Sequence, residues 1–257
     1  MKFSIITPTH KRVDGLIRAV NSLISQTYQD WEMIIINDSP DDITYQKFAS
    51  HINDPRIHYH INHINSGANF SRNNGLDKIS GDSKWVIFLD DDDFLAPDAL
   101  ATLYHLILSH QDCHWFVTNR AYAHGKPNTQ FPKDNTSYSY AWSYLITKRG
   151  KGDATHCIET KLLNHIRFSK YIKQGEEWFF FYQVGLQCKM FYHNHNSTIT
   201  DGYDELSGLN FRTRTFTQQL ESLSILFYEG ITKNLIYRPT FILYLLVRFV
   251  RALVKHA

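Results

Sequence analysis

The chain has 257 residues, 43% hydrophobic and 20% charged, with a net charge of +2. That length and balance suit one large α/β domain or two small ones, and exclude a disordered chain and a dedicated nucleic-acid binder. Cys113, Cys157 and Cys188 lie far apart and make no Cys-x-x-Cys pair, and Lys11 and Arg12 follow a short apolar start rather than precede one, as in a secretory signal; a reducing, cytoplasmic setting is the expectation.

Residues 3–6 read as a short buried strand, stopped by Thr7-Pro8-Thr9-His10 because proline cannot donate to a ladder. Val13, Leu16, Ile17, Val20, Leu23 and Ile24 recur at helical spacing, which predicts an amphipathic helix over 13–26. A second strand is expected over 31–36, closed by Asn37-Asp38-Ser39, then a helix over 44–52. Residues 56–61 read as a more polar third strand, Asn65-Ser66-Gly67 as a turn and 69–79 as a helix. The fourth strand, 85–89, is an unbroken apolar run that ends in Asp90, Asp91, Asp92 and Asp93. A helix over 99–108 and a strand over 114–118 follow. This alternation predicts α/β architecture, a mostly parallel sheet flanked by helices. Further on, 123–136 and 148–153 read as loops, 160–165 as a short helix, and 176–186 as a helix too aromatic to be exposed. A late strand is expected over 189–192 and a helix over 216–228. No uninterrupted apolar stretch reaches the length of a membrane span.

Four carboxylates at the carboxyl end of a core strand repel one another by roughly 4 kcal/mol per close pair at an effective dielectric of about 20. Such a cluster suggests a bound hard cation, Mg²⁺ or Mn²⁺, held by oxygen ligands together with substrate phosphates. In an open parallel sheet the ends of strands one, two and four lie along one edge, where ligands bind. That edge then carries the Asp38 carboxylate for a base or ribose, Arg72 for phosphate, and the acidic cluster. A nucleoside diphosphate fits this inventory.

Five stretches together resemble the family 2 glycosyltransferases, inverting enzymes of the GT-A nucleotide-diphospho-sugar transferase fold. They are Ile5-Ile6-Thr7-Pro8-Thr9-His10-Lys11-Arg12, Ile35-Ile36-Asn37-Asp38-Ser39, Asn65-x-Gly67 with Arg72-Asn73-x-Gly75, Phe88-Leu89-Asp90-Asp91-Asp92-Asp93, and Gly175-Glu176-Glu177-Trp178. The resemblance implies that Thr7, Pro8, Thr9, Lys11, Asp38, Asn65, Arg72, Asp90 and Asp91 surround the nucleotide-sugar, with Thr9 and Asp38 on the uridine. Asp90 and Asp92 would form the Asp-x-Asp pair, Asp90 towards the ribose and Asp92 on the metal. Glu177 would stand at the catalytic base, with Glu176 the second choice; a helix first turn also favours two carboxylates there. His195 is expected at the metal or the donor phosphates, and His156 and Trp178 in the acceptor or sugar pocket. The sequence departs from the family pattern at Lys11, Asn37 and Glu177, where Asn, Asp and Asp are usual.

His58, His60 and His63 read as a half-exposed edge rather than a metal site. In the tail, residues 241–254 are apolar except for Arg248 and Arg251, and with Lys255 these fall at i, i+3 and i+7 on one helical face. That pattern suggests a basic amphipathic helix on an anionic membrane surface; packing on the protein's own core is the competing expectation. The resulting expectation is a catalytic domain over 1–204, with a nucleotide-sugar half (1–120) and an acceptor half (121–204), and a helical extension over 205–257. The activity expected is transfer of a sugar from a UDP-sugar to a surface glycan or lipid-linked acceptor, in the cytoplasm on the inner face of the membrane. A nucleotidyltransferase is the rival enzyme, although it would carry a Gly-rich basic loop after the first strand. A catalytically inactive glycan- or partner-binding relative is the non-enzymatic rival.

Overall fold

Strand alternation organises the core. In β1 (Lys2–Thr9), β2 (Trp31–Asn37) and β4 (Ser83–Phe88) successive apolar side chains go to opposite faces of one sheet. Ile5, Met33, Ile35 and Ile87 meet α1 (Val13–Ile24) and α4 (Ala99–Ser109) on one side. Ile6, Ile34, Ile36 and Val86 face the other side, towards α5 (Trp178–Gly185), α6 (Phe216–Thr232) and α7 (Pro239–His256). Both faces are covered, so these strands carry continuous apolar runs. The computed structural model describes residues 1–200 and 214–256; the expected domain boundary at 204/205 lies outside them.

The remaining elements are α2 (Ile43–Ser50), β3 (Ile57–Ile61), α3 (Ala68–Leu76), β5 (Asp93–Leu95), β6 (Trp115–Tyr122), β7 (Thr136–Tyr138), β8 (Ala154–Glu159) and β9 (Met190–Thr200). The sheet order is β3-β2-β1-β4-β8-β6-β9-β5, with β7 paired to β9. The strands β1 to β4 are mutually parallel. Then β8 enters antiparallel between β4 and β6, and β9 runs parallel to β6 but antiparallel to β5 and β7. The expected parallel sheet is therefore the first half of a mixed one.

Three expectations change. Pro8 does not stop β1: the strand runs on to Thr9, pairing Pro8 with Ile36 and Thr9 with Asn37. On its other side the pairing with β4 ends at Ile6, so the missing N–H of Pro8 falls where that ladder has already ended. The segment 154–159 is a strand between two others. Its mixed Ala-Thr-His-Cys-Ile-Glu composition, just after a Gly- and Lys-rich break, hides it. The late strand extends to Thr200 and takes in the polar run around His195.

The tail helix lies on the protein's own core. Phe241, Tyr244, Leu245 and Ala252 are buried, and Phe241 packs near Trp178, Phe179 and Tyr182. The opposite face presents Leu243, Leu246, Val250, Leu253 and Val254 to solvent. Arg251 and Lys255 are exposed, but Arg248 is not on the outward face. No helix among the described residues is long and apolar enough to cross a membrane.

Candidate active site

A cleft of about 610 Å³ opens between the ends of β4 and β8 and the helices α5 and α7. Its lining includes the acidic Asp90, Asp93, Glu176 and Glu177, with Trp178, and the basic Arg214, Arg248 and Lys255.

The acidic side follows from β4 ending at Phe88, which puts the four aspartates in the turn before β5. One ligand oxygen from each of Asp90, Asp92 and Asp93 can be chosen so that all three lie within 4.8 Å of one another. Each carboxylate also holds an arginine: Arg72 reaches Asp90 at 2.7 Å, Arg12 reaches Asp92 at 2.6 Å, and Arg120 reaches Asp93 at 2.8 Å. Burial raises Asp90, but Arg72 and then Arg120 outweigh it and hold its carboxyl below the ordinary range. Burial pushes Asp93 up to about 8 despite Arg120, with Asp90 and Asp92 adding to the rise. Burial also lifts Asp91 to about 6. An all-oxygen set of three clustered carboxylates fits a hard divalent cation, which would supply the positive charge that keeps them ionised. Close approach here depends on Gly15 in α1, where a Cβ would collide with the Asp91 carbonyl oxygen.

The expected nucleotide-binding residues divide by access. Thr7 is fully buried, and its hydroxyl has no hydrogen-bond partner among the described residues. Thr9 is engaged with the Tyr45 hydroxyl and donates to Asp91 at 2.9 Å. The two oxygens of Asp38 accept from Asn62 Nδ2 and from the backbone N–H of Ser66 and Gly67, at 2.7–2.8 Å. Asp38 thus fixes the turn that begins α3, whose Arg72 points back at the cluster. Lys11 and Asn65 are exposed at the same edge, and the Lys11 N–H donates to Ser39 Oγ. Pro8 sits inside β1.

The adjacent glutamates are treated in opposite ways. The Glu176 side chain is 2% exposed and accepts from Trp178 Nε1 at 2.6 Å, Arg214 Nη1 at 2.6 Å and Arg248 Nη2 at 2.8 Å, with Arg248 Nη1 also in contact. Burial raises Glu176, but Arg248, Trp178 and Arg214 outweigh it and hold the carboxyl below its ordinary value. The Glu177 side chain is 42% exposed, and Arg72 Nη1 touches it at 3.3 Å. Arg72 thereby bridges Asp90 and Glu177. The backbone before the pair is unusual: Gly175 has φ +76° and Glu176 φ +62°. The left-handed region costs a non-glycine residue about 1–2 kcal/mol, and Glu176's ion pairs offset that cost.

His156 and Trp178 both line the cleft. Trp115 Nε1 donates to His156 Nδ1 at 3.2 Å, and Phe181 stacks on the ring with centroids 4.0 Å apart. Burial depresses His156 to about 3, so the imidazole is neutral. His195 is not brought to the acidic cluster. Its ring contacts Ser197 Oγ at 3.0 Å and Asp98 at 3.3 Å, because β9 carries it towards the N-terminus of α4. His195 thus stands apart from Asp90, Asp92 and Asp93, the group of carboxylates among the described residues that could hold a metal ion. Arg120 and Arg214 had no sequence signal, and Arg248 was legible only as part of the basic face of the tail helix. Arg12 was part of a quoted motif without a role.

The sequence profile of the family described as Glycosyl transferase family 2 matches residues 4–171. The chain belongs to that family. It is 40% identical over 104 residues to the GalNAc(5)-diNAcBac-PP-undecaprenol beta-1,3-glucosyltransferase of Campylobacter jejuni, covering 40% of this chain and 33% of that protein. The chain spans about a third of the length of the first curated relatives it matches. Among solved structures, S. aureus TarS 1-349 in complex with UDP-GlcNAc superposes with a TM-score of 0.71 at 19% identity, over 88% of this chain and 65% of that one. GalNAc-T7 with UDP, GalNAc and Mn2+ gives 0.58 at 14% identity, over 78% and 44%. These likenesses establish the GT-A-type fold, a mixed sheet flanked by helices with a helical C-terminal segment.

Proposed function

We propose that the chain transfers a sugar from a nucleoside diphosphate, UDP in the simplest case, to a hydroxyl of a growing surface glycan of lipopolysaccharide or capsule type, with inversion at the anomeric carbon. The observation that carries this reading is Glu177, an accessible carboxylate in the cleft, joined through Arg72 to the acidic cluster. Residues 1–120 would supply the donor half, 121–204 the acceptor half, and 205–257 the extension. The undecaprenol-linked glycan for which the Campylobacter relative is named and the UDP-GlcNAc held by TarS favour a UDP-sugar donor and a glycan or lipid-linked acceptor.

Asp90, Asp92 and Asp93 would hold Mn²⁺ or Mg²⁺, which when bound neutralises charge on the diphosphate. Arg12 and Arg72, already beside these carboxylates, would orient the phosphates. Glu177 would accept the proton of the acceptor hydroxyl as its oxygen bonds to the anomeric carbon. The bond from that carbon to the diphosphate oxygen breaks on the opposite face, so no covalent enzyme intermediate forms. Neutral His156 and Trp178 would border the sugar. Glu176, fully engaged, would not take the proton.

We read the outward face of α7 as the contact with the membrane. Leu246, Val250 and Val254 are exposed, and the chain beyond Glu229 contains no acidic residue but carries the exposed Arg238 and Arg251. An apolar helical face among basic residues suits an anionic lipid surface, and this is the expected basic helix with its contact face redrawn. The test of the chemistry is UDP release from a panel of UDP-sugars with and without Mn²⁺, for the wild type and Glu177→Gln. Turnover should fall by roughly 10²–10⁴-fold in the variant, with UDP affinity retained. Undiminished turnover would remove Glu177 from the reaction.

A further inference from the structure

The loop that carries Glu177 is held from two sides. From the donor side, Asn69 Nδ2 donates to the carbonyls of Ile172 and Gly175 at 2.8 and 3.0 Å. From the other side, besides the neighbouring Trp178 Nε1, the contacts among the described residues come from the C-terminal extension. Arg214, just before α6, donates to Glu176 and to the Gln174 carbonyl, and Arg248 of α7 makes a two-nitrogen contact with Glu176 while its guanidinium lies 5.6 Å from the Trp178 ring centre. Glu176 sits at φ +62° directly after Gly175 at φ +76°. Two successive left-handed residues form a sharp turn, and the direction in which the next side chain leaves depends on that turn persisting. Such a backbone costs a glutamate free energy and persists where the surroundings hold it; here both arginines grip the Glu176 side chain. The next side chain is Glu177, the carboxylate that opens to the cleft.

We propose that Arg214 and Arg248 are positioning residues for the base. By clamping Glu176 they fix the left-handed turn and aim Glu177 at the acceptor hydroxyl, so the C-terminal helices are part of the catalytic apparatus. The inference rests on Glu177 being the base. Neither arginine touches Asp90, Asp92 or Asp93, so their loss spares the donor side and falls on the chemical step.

The experiment uses the full chain and the UDP-sugar that the wild type turns over fastest, with Mn²⁺. Arg248→Met, Arg248→Lys, Arg214→Met, Glu176→Gln and the double variant Arg248→Met/Glu176→Gln are compared for kcat, donor KM, UDP affinity and melting temperature. Arg248→Met and Glu176→Gln should each lower kcat by about tenfold to a hundredfold, as expected for a reacting group displaced by an ångström or less, with donor KM and UDP affinity within about twofold. The double variant should be no worse than the worse single one, because both changes remove the same contact. Arg248→Lys should recover part of kcat, and Arg214→Met should show a smaller loss of the same kind. Unchanged kcat in folded Arg248→Met and Glu176→Gln overturns the proposal. So does a loss in which donor KM, UDP affinity and melting temperature worsen together with no recovery by lysine. If Arg248→Met fails to fold, Arg248→Lys and Glu176→Gln decide, and wild-type kcat in both overturns it. Glu177→Gln separates the two ideas: wild-type turnover there removes the base assignment, whereas its loss beside intact Arg248→Met and Glu176→Gln removes the positioning inference alone.

Discussion

The two sides of the cleft are built by opposite means. On the donor side, Asp38 and the Asp90–Asp93 run stand at the ends of β2 and β4, and strand order places them on one edge before any side chain is considered. On the acceptor side, the carboxylate that matters for order, Glu176, is satisfied by Arg214 and Arg248, 38 and 72 positions away. A parallel β–α repeat converts sequence order into spatial order. A helix that folds back onto the sheet does not, and its contacts become visible only when packing is known.

The sharpest way to break this comparison is to test whether the extension is integral. Phe241 is fully buried against α5. Phe241→Ala should cost about 3–5 kcal/mol through lost burial and cavity formation, roughly 6–20 °C in melting temperature for a chain of this size. An unchanged melting curve would make α7 an appendage and dissolve the contrast.

A smaller effect concerns the donor side. The proposed cation would require ionised carboxylates at Asp90, Asp92 and Asp93, and Asp93 is lifted to about 8. That is a raised acid value, so protons would compete with the cation below it and release it as pH falls. Apparent Mn²⁺ affinity should therefore climb between pH 6 and 8, by up to about tenfold per unit, with protons released on binding. Calorimetry in buffers of different ionisation heat measures both; a flat affinity with no proton release would place the cation elsewhere.

The smallest effect sharpens the view of α7 as a two-faced helix. Leu246→Glu with Val250→Glu alters side chains that are 56% and 54% exposed. Exposed substitutions usually change stability by no more than about 0.5 kcal/mol, whereas burial of one such side chain in lipid is worth about 1.5–3 kcal/mol. Flotation with anionic vesicles should fall by roughly tenfold or more while melting and UDP release stay put. Equal flotation of both proteins would remove the outward face from any membrane role.

Legibility in the sequence followed the same division. Apart from the three-residue β5, the strands and helices through α4 were readable because each is a local pattern, apolar runs for doubly covered strands and 3.6-residue spacing for α1. The acidic cluster was readable because four adjacent carboxylates at a strand end conflict with burial unless something positive is near. What answered them was hidden: Arg12, Arg72 and Arg120 arrive from three different elements, and only Arg72 had been singled out. The strand β8 was missed because Thr155 and His156 are polar residues inside the fold, satisfied by Thr198 and Trp115, partners the sequence cannot reveal. The surroundings of His195 were not legible because its neighbour Asp98 belongs to another element. The tail was readable as an amphipathic helix, but not which face would turn inward, since Arg248 is drawn in by a buried carboxylate that pattern reading treats as a helix-start residue.

The Trp115–His156 contact has a consequence for ligand chemistry. An indole N–H can only donate, so His156 Nδ1 must be the acceptor and the ring's single proton belongs on Nε2. With its basicity depressed to about 3 by burial, the ring keeps that arrangement near neutral pH. The polarity of this point in the cleft wall is therefore fixed: a sugar oxygen that meets the free nitrogen must present a lone pair. Replacement of that hydroxyl by fluorine leaves an acceptor, though a weak one, whereas replacement by hydrogen leaves an N–H with nothing to donate to. If His156 borders the sugar as proposed, paired deoxy and deoxyfluoro analogues would differ at this one position for a reason set by a tryptophan behind the ring.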